Sequence, residues 1–289
     1  LFATLLKCYL WSVITLIQLS DCHLLKDKNK TGYAGIAPYK SLARVLSSVR
    51  EYVVDSVDIK NYVAQKAASE PEQRAKHQVI VLVTGDISGD NSPESYEHFI
   101  ALMEQYIEPA NIEWFVLAGN HDNNPYFEKY LSSRYLKSND PISFPNWQIH
   151  GLDTRAITNK QTAAGEVKES DIQALEQALI RSPQANHLVA LHHHILPSNS
   201  WMDKHSLANG QQIAALIDEH PQVKAVIHGH VHSPLRQQIG VNKTLSYASP
   251  STCWQWEMRP EFGVSNEAPG YQVMSLMDGG SVGVKVVRV

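Results

Sequence analysis

Short apolar runs alternate with amphipathic stretches through the first two thirds of the chain. Runs of strand length that are rich in β-branched residues predict strands, and longer stretches with apolar residues at helical spacing predict helices. The predicted strands are 13–19, 78–84, 113–118, 147–152, 187–191 and 223–228. The predicted helices are 38–53, 93–106, 170–180 and 208–219, and the last two stop just before Pro183 and Pro221. Strands separated by helices favour βαβ units and an α/β fold.

The last third of the chain has a different pattern. From Leu235 onward it contains short strand-like runs at 244–248, 271–277 and 282–289, with glycine-rich turns and no long helix. We expect these runs to form a second sheet that closes a single domain spanning 1–289. The segment 55–76 is polar, charged and without strong periodicity, and it predicts an inserted surface loop or short helix.

The first nineteen residues carry a single charge, Lys7, which allows a signal or membrane segment. However, the run lacks a small-residue cleavage site, and its second half, 11–20, is rich in Val, Ile and Thr, as a buried strand is. We therefore predict a buried strand and no stable membrane span. The role of residues 1–9 stays open.

Composition narrows the classes of function. With 43% apolar and 19% charged residues in 289, the chain has an ordinary globular balance. Its net charge is −4, whereas proteins that bind nucleic acid through the phosphates are usually basic, so we expect no nucleic-acid partner. Three widely spaced cysteines, Cys8, Cys22 and Cys253, imply no disulfide framework, which favours a reducing compartment and a cytoplasmic location.

Clusters of Asp, Asn and His directly follow the predicted strands, where open α/β sheets place their sites. They read Asp-Cys-His at 21–23, Gly-Asp at 85–86, Gly-Asn-His-Asp at 119–122, His-His-His at 192–194 and Gly-His-Val-His at 229–232. A single such residue is usually a turn or cap, but that reading leaves the joint order unexplained. Asp21 and His23 are two apart and can share one ion. Carboxylates and imidazoles without thiolates suit Mn²⁺, Fe or Zn²⁺ at a hydrolytic centre.

This motif series resembles the calcineurin-like metallophosphoesterases, over residues 14–277. Within that superfamily the chain is most similar to the bacterial class III cyclic AMP phosphodiesterases. The narrower likeness is carried by residues 191–197, 201–203, 206–209, 251–253 and 269–271. The resemblance implies a four-layered α/β/β/α sandwich with two mixed sheets. The chain departs from the pattern in its extra length between His23 and Asp86.

The resemblance also implies a ligand set for two metal ions, with Mn or Fe expected first and Zn as the alternative. One ion would be held by Asp21, His23, Asp86 and His232, and the other by Asp86, Asn120, His192 and His230, so that Asp86 bridges. His192 is selected from the triple-His run because it ends the strand five residues before Pro197. Two ions about 3.5–4 Å apart can clamp an in-line displacement in which a bridging hydroxide attacks phosphorus.

The remaining site residues are assigned roles around those ions. His121 is the candidate general acid, and Asp122 either orients it or braces the loop. The predicted substrate contacts are Asn120, His121, His194 and Asn209. His193 and His194 either support the ligands or face the substrate. The aromatic rings of Trp254, Trp256 and Tyr271 either wall a base pocket or pack in the core.

Together these features predict a phosphodiesterase that hydrolyses 3′,5′-cyclic AMP to 5′-AMP, with a cyclic nucleotide as its small-molecule partner and a homodimer left open. A broader phosphatase or phosphodiesterase, a nucleotide pyrophosphatase and a nuclease are the alternatives on the same metal core. A binding module without catalysis is disfavoured, because no ligand position is substituted.

Overall fold

The computed structural model describes residues 13–55, 78–155 and 163–289. Apart from its first residue, the predicted insert at 55–76 lies outside the described residues, as does the segment 1–9. Within the described part of the chain, no helix is both long and apolar enough to cross a membrane.

Strands and helices alternate as the hydrophobic pattern predicts. The strands are β1 (Val13–Leu19), β2 (Gln78–Thr84), β3 (Glu113–Leu117), β4 (Ile142–Ser143), β5 (Trp147–Gly151), β6 (Asn186–Ala190), β7 (Val223–His228), β8 (Leu235–Ile239), β9 (Thr244–Ala248), β10 (Gln255–Trp256), β11 (Val264–Ser265), β12 (Gly270–Met277) and β13 (Val282–Arg288). The helices are α1 (Pro38–Asp55), α2 (Pro93–Tyr106), α3 (Tyr126–Leu131), α4 (Glu169–Arg181) and α5 (Gly210–Glu219). The predicted bounds of β1, β2, β7 and α2 are confirmed.

The strands form two large mixed sheets. The first has the order β13-β12-β1-β2-β3 and the second β4-β5-β6-β7-β9-β8. Strands β1, β2 and β3 are parallel, as are β5, β6 and β7, which confirms the predicted βαβ units. Their carboxyl ends therefore point to one edge of each sheet.

Three hydrophobic layers separate the two sheets and the helices. Leu16, Leu82 and Ile227 belong to the layer between the sheets. A second layer includes residues of β1 and β2 together with Leu46 and Phe99 of α1 and α2. A third joins the second sheet to α4 and α5. Alternate side chains of a buried strand enter opposite layers, as the period of two requires. The α/β/β/α sandwich is thus confirmed.

The prediction that the last third forms the second sheet is wrong. Strands β12 and β13 join the first sheet, where β12 pairs antiparallel to β1, whereas β8 and β9 join the second. The register places Ile17 opposite Val273, so β12 pairs along the side of β1 that β2 leaves open. Strand partners far apart in the sequence are set by tertiary packing, which local periodicity does not report.

Candidate metal centre

The polar clusters that follow β1, β2, β3, β6 and β7 converge at one edge of the sandwich. The backbone N–H of His230 donates to both carboxylate oxygens of Asp21 at 3.1 Å. The backbone N–H of His121 donates to Asp86 Oδ1 at 2.9 Å. These bonds join the loop after β7 to the loop after β1, and the loop after β3 to the loop after β2. The two sheets thus bring the predicted ligand residues together.

Several overlapping groups of donor atoms lie at this edge. Within each group the atoms lie within 4.8 Å of one another, and the groups are Asp21–His23–His232, His23–Asp86–His121, Asp21–Asp86–His192 and His192–His193–His230. Asp86 Oδ2 lies 3.6 Å from His23 Nε2 and 3.5 Å from His192 Nε2. Asn120 Oδ1 lies 3.1 Å from His192 Nε2. Asp86 is therefore placed between two sets of imidazoles, where a bridging carboxylate belongs.

The buried histidines are held as metal ligands usually are, with one ring nitrogen bonded to a backbone carbonyl and the other left for an ion. His192 Nδ1 donates to Thr84 O at 2.8 Å, and His232 Nδ1 donates to Trp254 O at 2.9 Å. His230 Nε2 donates to the carbonyl of His205 at 3.0 Å. The opposite nitrogens of His192 and His232 face Asp86 Oδ2 at 3.5 Å and Asp21 Oδ1 at 3.3 Å, respectively. This arrangement fits a pair of cations held by the predicted donors.

The backbone of the ligand loops adopts a conformation that side chains other than glycine rarely take. The φ angles are 54° at Asp21, 46° at His23, 52° at Asp86, 68° at His230 and 46° at His232. Non-glycine residues with positive φ are uncommon, and they concentrate at functional sites where the surrounding structure enforces them. Sequence patterns carry no direct signal of this feature.

Glycines before the ligands permit the close approach of these loops. Gly85 has a φ of 98°, and a Cβ there would lie 2.6 Å from His192 Nδ1. A Cβ on Gly119 would lie 2.1 Å from Asp86 Oδ1. Any larger residue at these positions would push the ligand side chains apart, which explains the glycine in each of the two motifs.

The carboxylates give the centre a negative field. Burial would raise the pKa of Asp86, but His192, His121 and His23 nearby lower it well below its usual value. For His192 the signs are reversed. Burial lowers its pKa, but the nearby Asp86 and Asp21 outweigh burial and raise the pKa to about 9. Carboxylates that stay ionised while buried attract cations strongly.

His193 and His194 differ from their ligand neighbour. His193 is fully buried, and both of its nitrogens are occupied, by Thr154 Oγ1 at 2.7 Å and by Ala163 O at 2.9 Å. These contacts favour a supporting role. His194 is also fully buried, and its Nε2 lies 3.5 Å from Asp203 Oδ1. A role for His194 with substrate stays a prediction that its burial does not support.

Asn209, another predicted substrate contact, is engaged by the backbone elsewhere. Its Nδ2 donates to Val167 O at 2.8 Å, and its Oδ1 accepts from Val167 N at 3.1 Å. The amide thus ties the start of α5 to the segment before α4. A substrate role for Asn209 also stays a prediction without support from these contacts.

Asp122 braces the loops that carry the ligands. Its carboxylate accepts hydrogen bonds from the backbone N–H groups of Gly119 at 2.9 Å, Ser88 at 3.0 Å and Ile87 at 3.1 Å, and from the Tyr96 hydroxyl at 3.1 Å. Burial and the nearby Asp86 raise the pKa of Asp122 to about 6 despite these donors. Of the two roles left open by the sequence, these contacts favour bracing over orienting His121.

A cavity of about 270 Å³ opens onto the donor groups. It is lined by His23, Asp86, Asn120, His121, His230 and His232 on the side of the ligands. His121 is exposed, and its ring meets that of His23 edge-on at 4.9 Å between centroids. His121 therefore faces the space that a substrate would occupy, whereas His192 is fully buried and does not line the cavity.

The family model for the calcineurin-like phosphoesterases matches residues 14–234. The chain belongs to this family. Accordingly, it is a metal-dependent phosphoric ester hydrolase with candidate ligands for a dinuclear metal site.

Relatives match nearly the whole chain. A 3′,5′-cyclic-nucleotide phosphodiesterase of Nostoc is 30% identical over 96% of this chain and 92% of its own length. The 3′,5′-cyclic adenosine monophosphate phosphodiesterase CpdA of Haemophilus influenzae is 27% identical over 96% of this chain and 90% of its own. These likenesses confirm the predicted relationship to the cyclic nucleotide phosphodiesterases.

Solved structures share the fold. A dimetal phosphatase from Danio rerio superposes with a TM-score of 0.61 at 14% identity, covering 95% of this chain and 98% of its own. Purple acid phosphatase from yellow lupin gives a TM-score of 0.59 at 14% identity, covering 96% of this chain and 52% of its own. At such low identity the comparison shows the architecture alone.

Some residues that contact the site lie outside the sequence motifs and were not predicted. Thr154, which bonds His193, and Arg155, whose Nη1 donates to Asp122 O at 3.2 Å, follow β5. Their position after a parallel strand is the available signal, because site residues gather at carboxyl ends. Tyr271, a candidate for the base pocket, is fully buried in the outer layer of the first sheet, with its hydroxyl 3.2 Å from Ser48 Oγ.

Proposed function

We propose that this chain hydrolyses 3′,5′-cyclic AMP to 5′-AMP, using two metal ions of which Mn or Fe is the first choice. The observation that carries the proposal is Asp86 between His23 and His192, at 3.6 and 3.5 Å, in a chain whose relatives are named for this substrate class. The small cavity supports it too. Its 270 Å³ is close to the lower limit of about 300 Å³ for small-molecule pockets and suits a mononucleotide better than a polymer.

The proposed ligand sets follow the contacts described above. Asp21, His23, Asp86 and His232 would hold one ion, and Asp86, Asn120, His192 and His230 the other. When bound, such a pair supplies an activated water at neutral pH and positive charge for the phosphoryl oxygens. The carbonyls of Thr84, His205 and Trp254 hold the imidazoles in the required tautomers.

His121 would act on the leaving group. Hydrolysis breaks the bond between phosphorus and O3′, and the departing alkoxide needs a proton because ribose is a poor leaving group. His121 lines the cavity and is anchored through its backbone N–H to Asp86 Oδ1. Its ring can therefore give that proton to O3′ while its main chain stays fixed to the metal centre.

We also propose a cytoplasmic location, supported by the two buried free thiols of Cys22 and Cys253. A homodimer, the single domain over 1–289 and the lack of a nucleic-acid partner stay predictions.

The test compares substrates on one preparation. Metal-stripped protein reloaded with Mn²⁺ is assayed for kcat/KM on 3′,5′-cyclic AMP, 2′,3′-cyclic AMP, bis-p-nitrophenyl phosphate and p-nitrophenyl phosphate, with Asp86→Ala prepared in parallel. We expect the highest value for 3′,5′-cyclic AMP and loss of all activities in the variant. Activity confined to the activated p-nitrophenyl esters would reject cyclic AMP as the substrate.

A further inference from the structure

Five aromatic side chains from four segments of the chain cluster beside the metal centre. This aromatic wall consists of Tyr33, Trp201, Trp254, Trp256 and Phe262. The ring centroids of Tyr33 lie 5.4 Å from Trp254 and 4.9 Å from Trp256. Trp201 meets Phe262 at 4.9 Å and Trp256 at 5.6 Å. The wall is thus one continuous set of ring contacts.

The aromatic wall and the metal ligands share one cavity. Tyr33, Trp201, Trp254 and Trp256 line it together with the ligand side chains. The His23 ring stacks on Trp254 at 5.2 Å and 23° between planes, and His232 stacks on Trp256 at 4.8 Å and 22°. The wall and the metal centre are therefore close enough for one nucleotide to reach both, with its base on the wall and its phosphate at the metal centre.

Core packing explains only part of the wall, because Trp201 and Trp256 pack against a small apolar cluster whereas Tyr33 and Phe262 belong to no such cluster among the described residues. Tyr33, which lines the cavity, is 49% exposed, and Phe262, whose ring lies 6.0 Å from that of Tyr33, is 51% exposed, so both rings keep large apolar surfaces in water. Trp201 is fixed, because its Nε1–H donates to Glu257 O at 3.2 Å and its backbone N–H to Arg259 O at 2.9 Å. Exposed, contiguous and fixed aromatic surface is typical of a ligand-binding face.

A buried polar atom in the wall also lacks a partner. Trp254 is only 7% exposed, and its Nε1–H makes no hydrogen bond to the described residues. Indole nitrogen is a donor only, so a ligand that bonds it must present an acceptor, and a ring nitrogen of a purine is one. Among the described residues that line the cavity none is Lys or Arg, so the cavity offers no cationic side chain for a further phosphate.

We infer that the aromatic wall is the base subsite: the purine of the substrate stacks on these rings and accepts a hydrogen bond from Trp254 while its phosphodiester lies at the metal centre. This inference rests on the proposed function and names the part of the site that selects a nucleotide over other phosphoesters. Stacking of one base on an aromatic side chain corresponds to about 5- to 150-fold in affinity.

The test separates base recognition from catalysis. The variants Tyr33→Ala and Trp201→Ala are assayed on 3′,5′-cyclic AMP and on the 3′,5′-cyclic phosphate of 1-deoxyribose, which has the same phosphodiester ring and no base. We expect kcat/KM on cyclic AMP to fall about 5- to 150-fold more than on the baseless substrate, mainly through KM. Tyr33→Phe and Trp201→Phe should restore most of the difference. Tyr106→Ala, a partly buried aromatic change on α2 outside the cavity, is the matched control.

A binding measurement keeps the two proposals distinguishable. Quenching of tryptophan fluorescence by adenosine 5′-monophosphate is compared with quenching by ribose 5-phosphate in wild type and Tyr33→Ala. If wild type binds adenosine 5′-monophosphate more tightly than ribose 5-phosphate, and Tyr33→Ala abolishes that difference, the base subsite is supported. This holds even if cyclic AMP is not hydrolysed, an outcome that would reject only the proposed function. Equal losses on both cyclic substrates, with equal binding of both monophosphates, would overturn the wall and leave the proposed function standing.

Discussion

Asp86 Oδ2 lies 3.5 Å from His192 Nε2, although the two residues follow strands of different sheets. The loops after β2 and β6 are therefore aligned across the interface between the sheets. The carbonyl of Thr84, the last residue of β2, accepts the His192 Nδ1–H and fixes this alignment. The metal centre depends on the packing of one sheet against the other.

Asp86→Ala is expected to remove both ions, because the same carboxylate oxygen faces His23 and His192. Loss of a group that only supports a ligand weakens metal binding or activity by about 10- to 100-fold, and loss of a shared ligand should exceed that. Metal content per chain, measured after reloading with Mn²⁺, is the readout. Asp90→Asn is the control. It replaces another carboxylate of the same loop, which accepts hydrogen bonds from the backbone N–H groups of Lys26 and Ser92. Two ions retained by Asp86→Ala would refute the bridge.

The contact of Thr154 with His193 predicts a smaller effect on the metal centre. The Thr154 hydroxyl donates to His193 Nδ1, and the His193 ring packs against His230 at 4.4 Å and His192 at 5.0 Å. Thr154→Val leaves that buried nitrogen without its donor and should weaken metal affinity by about 10-fold. Thr154→Ser keeps the hydroxyl and should bind metal like the wild type. A competition titration with a chelator measures the affinity. Equal affinities of Val and Ser variants would contradict the role.

Asp122 predicts a loss of stability on mutation. Asp122→Ala leaves the N–H groups of Gly119, Ser88 and Ile87 buried without their acceptor, and each such group costs about 1–3 kcal/mol. We expect a decrease of several kcal/mol in the free energy of unfolding, measured by urea titration. Tyr96→Phe removes only one of the donors and should cost about 1 kcal/mol. A similar small loss in both variants would show that the carboxylate does not brace the loops.

The buried pair of His150 and His187 predicts a loss of stability in acid. His187 Nε2 donates to Ser182 O, so its Nδ1 accepts from His150 Nε2 at 2.9 Å and both rings are neutral. Burial, with His187 nearby, lowers the pKa of His150 from 6.5 to about 4. The unfolded chain therefore binds more protons between about pH 4 and 6.5, and stability falls as the pH falls through that range.

The expected contribution of His150 is about 2 kcal/mol between pH 7.5 and pH 5. Urea titrations at both pH values compare the wild type with His150→Asn, whose amide can still donate but does not titrate in this range. The difference between the two proteins cancels the other titrating groups. An identical pH dependence in both would show that His150 is not neutral and buried in the folded state.

The sequence predicted the longer strands, apart from β8, and the clusters at their ends, because periodicity and ligand residue types are local properties. It did not predict that β12 pairs with β1, since that pairing depends on packing between distant segments. Nor did it show that Asn209 bonds Val167 or that Tyr33 and Trp201 meet at one cavity. Contacts of this kind follow from the tertiary structure alone.

His121→Ala is expected to lose activity in proportion to the difficulty of the leaving group. General acid catalysis contributes about 100- to 10,000-fold when the departing oxygen is basic, as ribose O3′ is, and little when it is p-nitrophenolate. We therefore expect a loss of at least about 100-fold on 3′,5′-cyclic AMP and a much smaller one on bis-p-nitrophenyl phosphate. Metal content should stay unchanged, because the main chain of His121, which bonds Asp86 Oδ1, is retained. His98→Ala, which alters a histidine on α2 that does not line the cavity, is the control. Equal losses on both substrates with both ions bound would assign His121 to substrate positioning, and unchanged activity on cyclic AMP would remove it from the reaction.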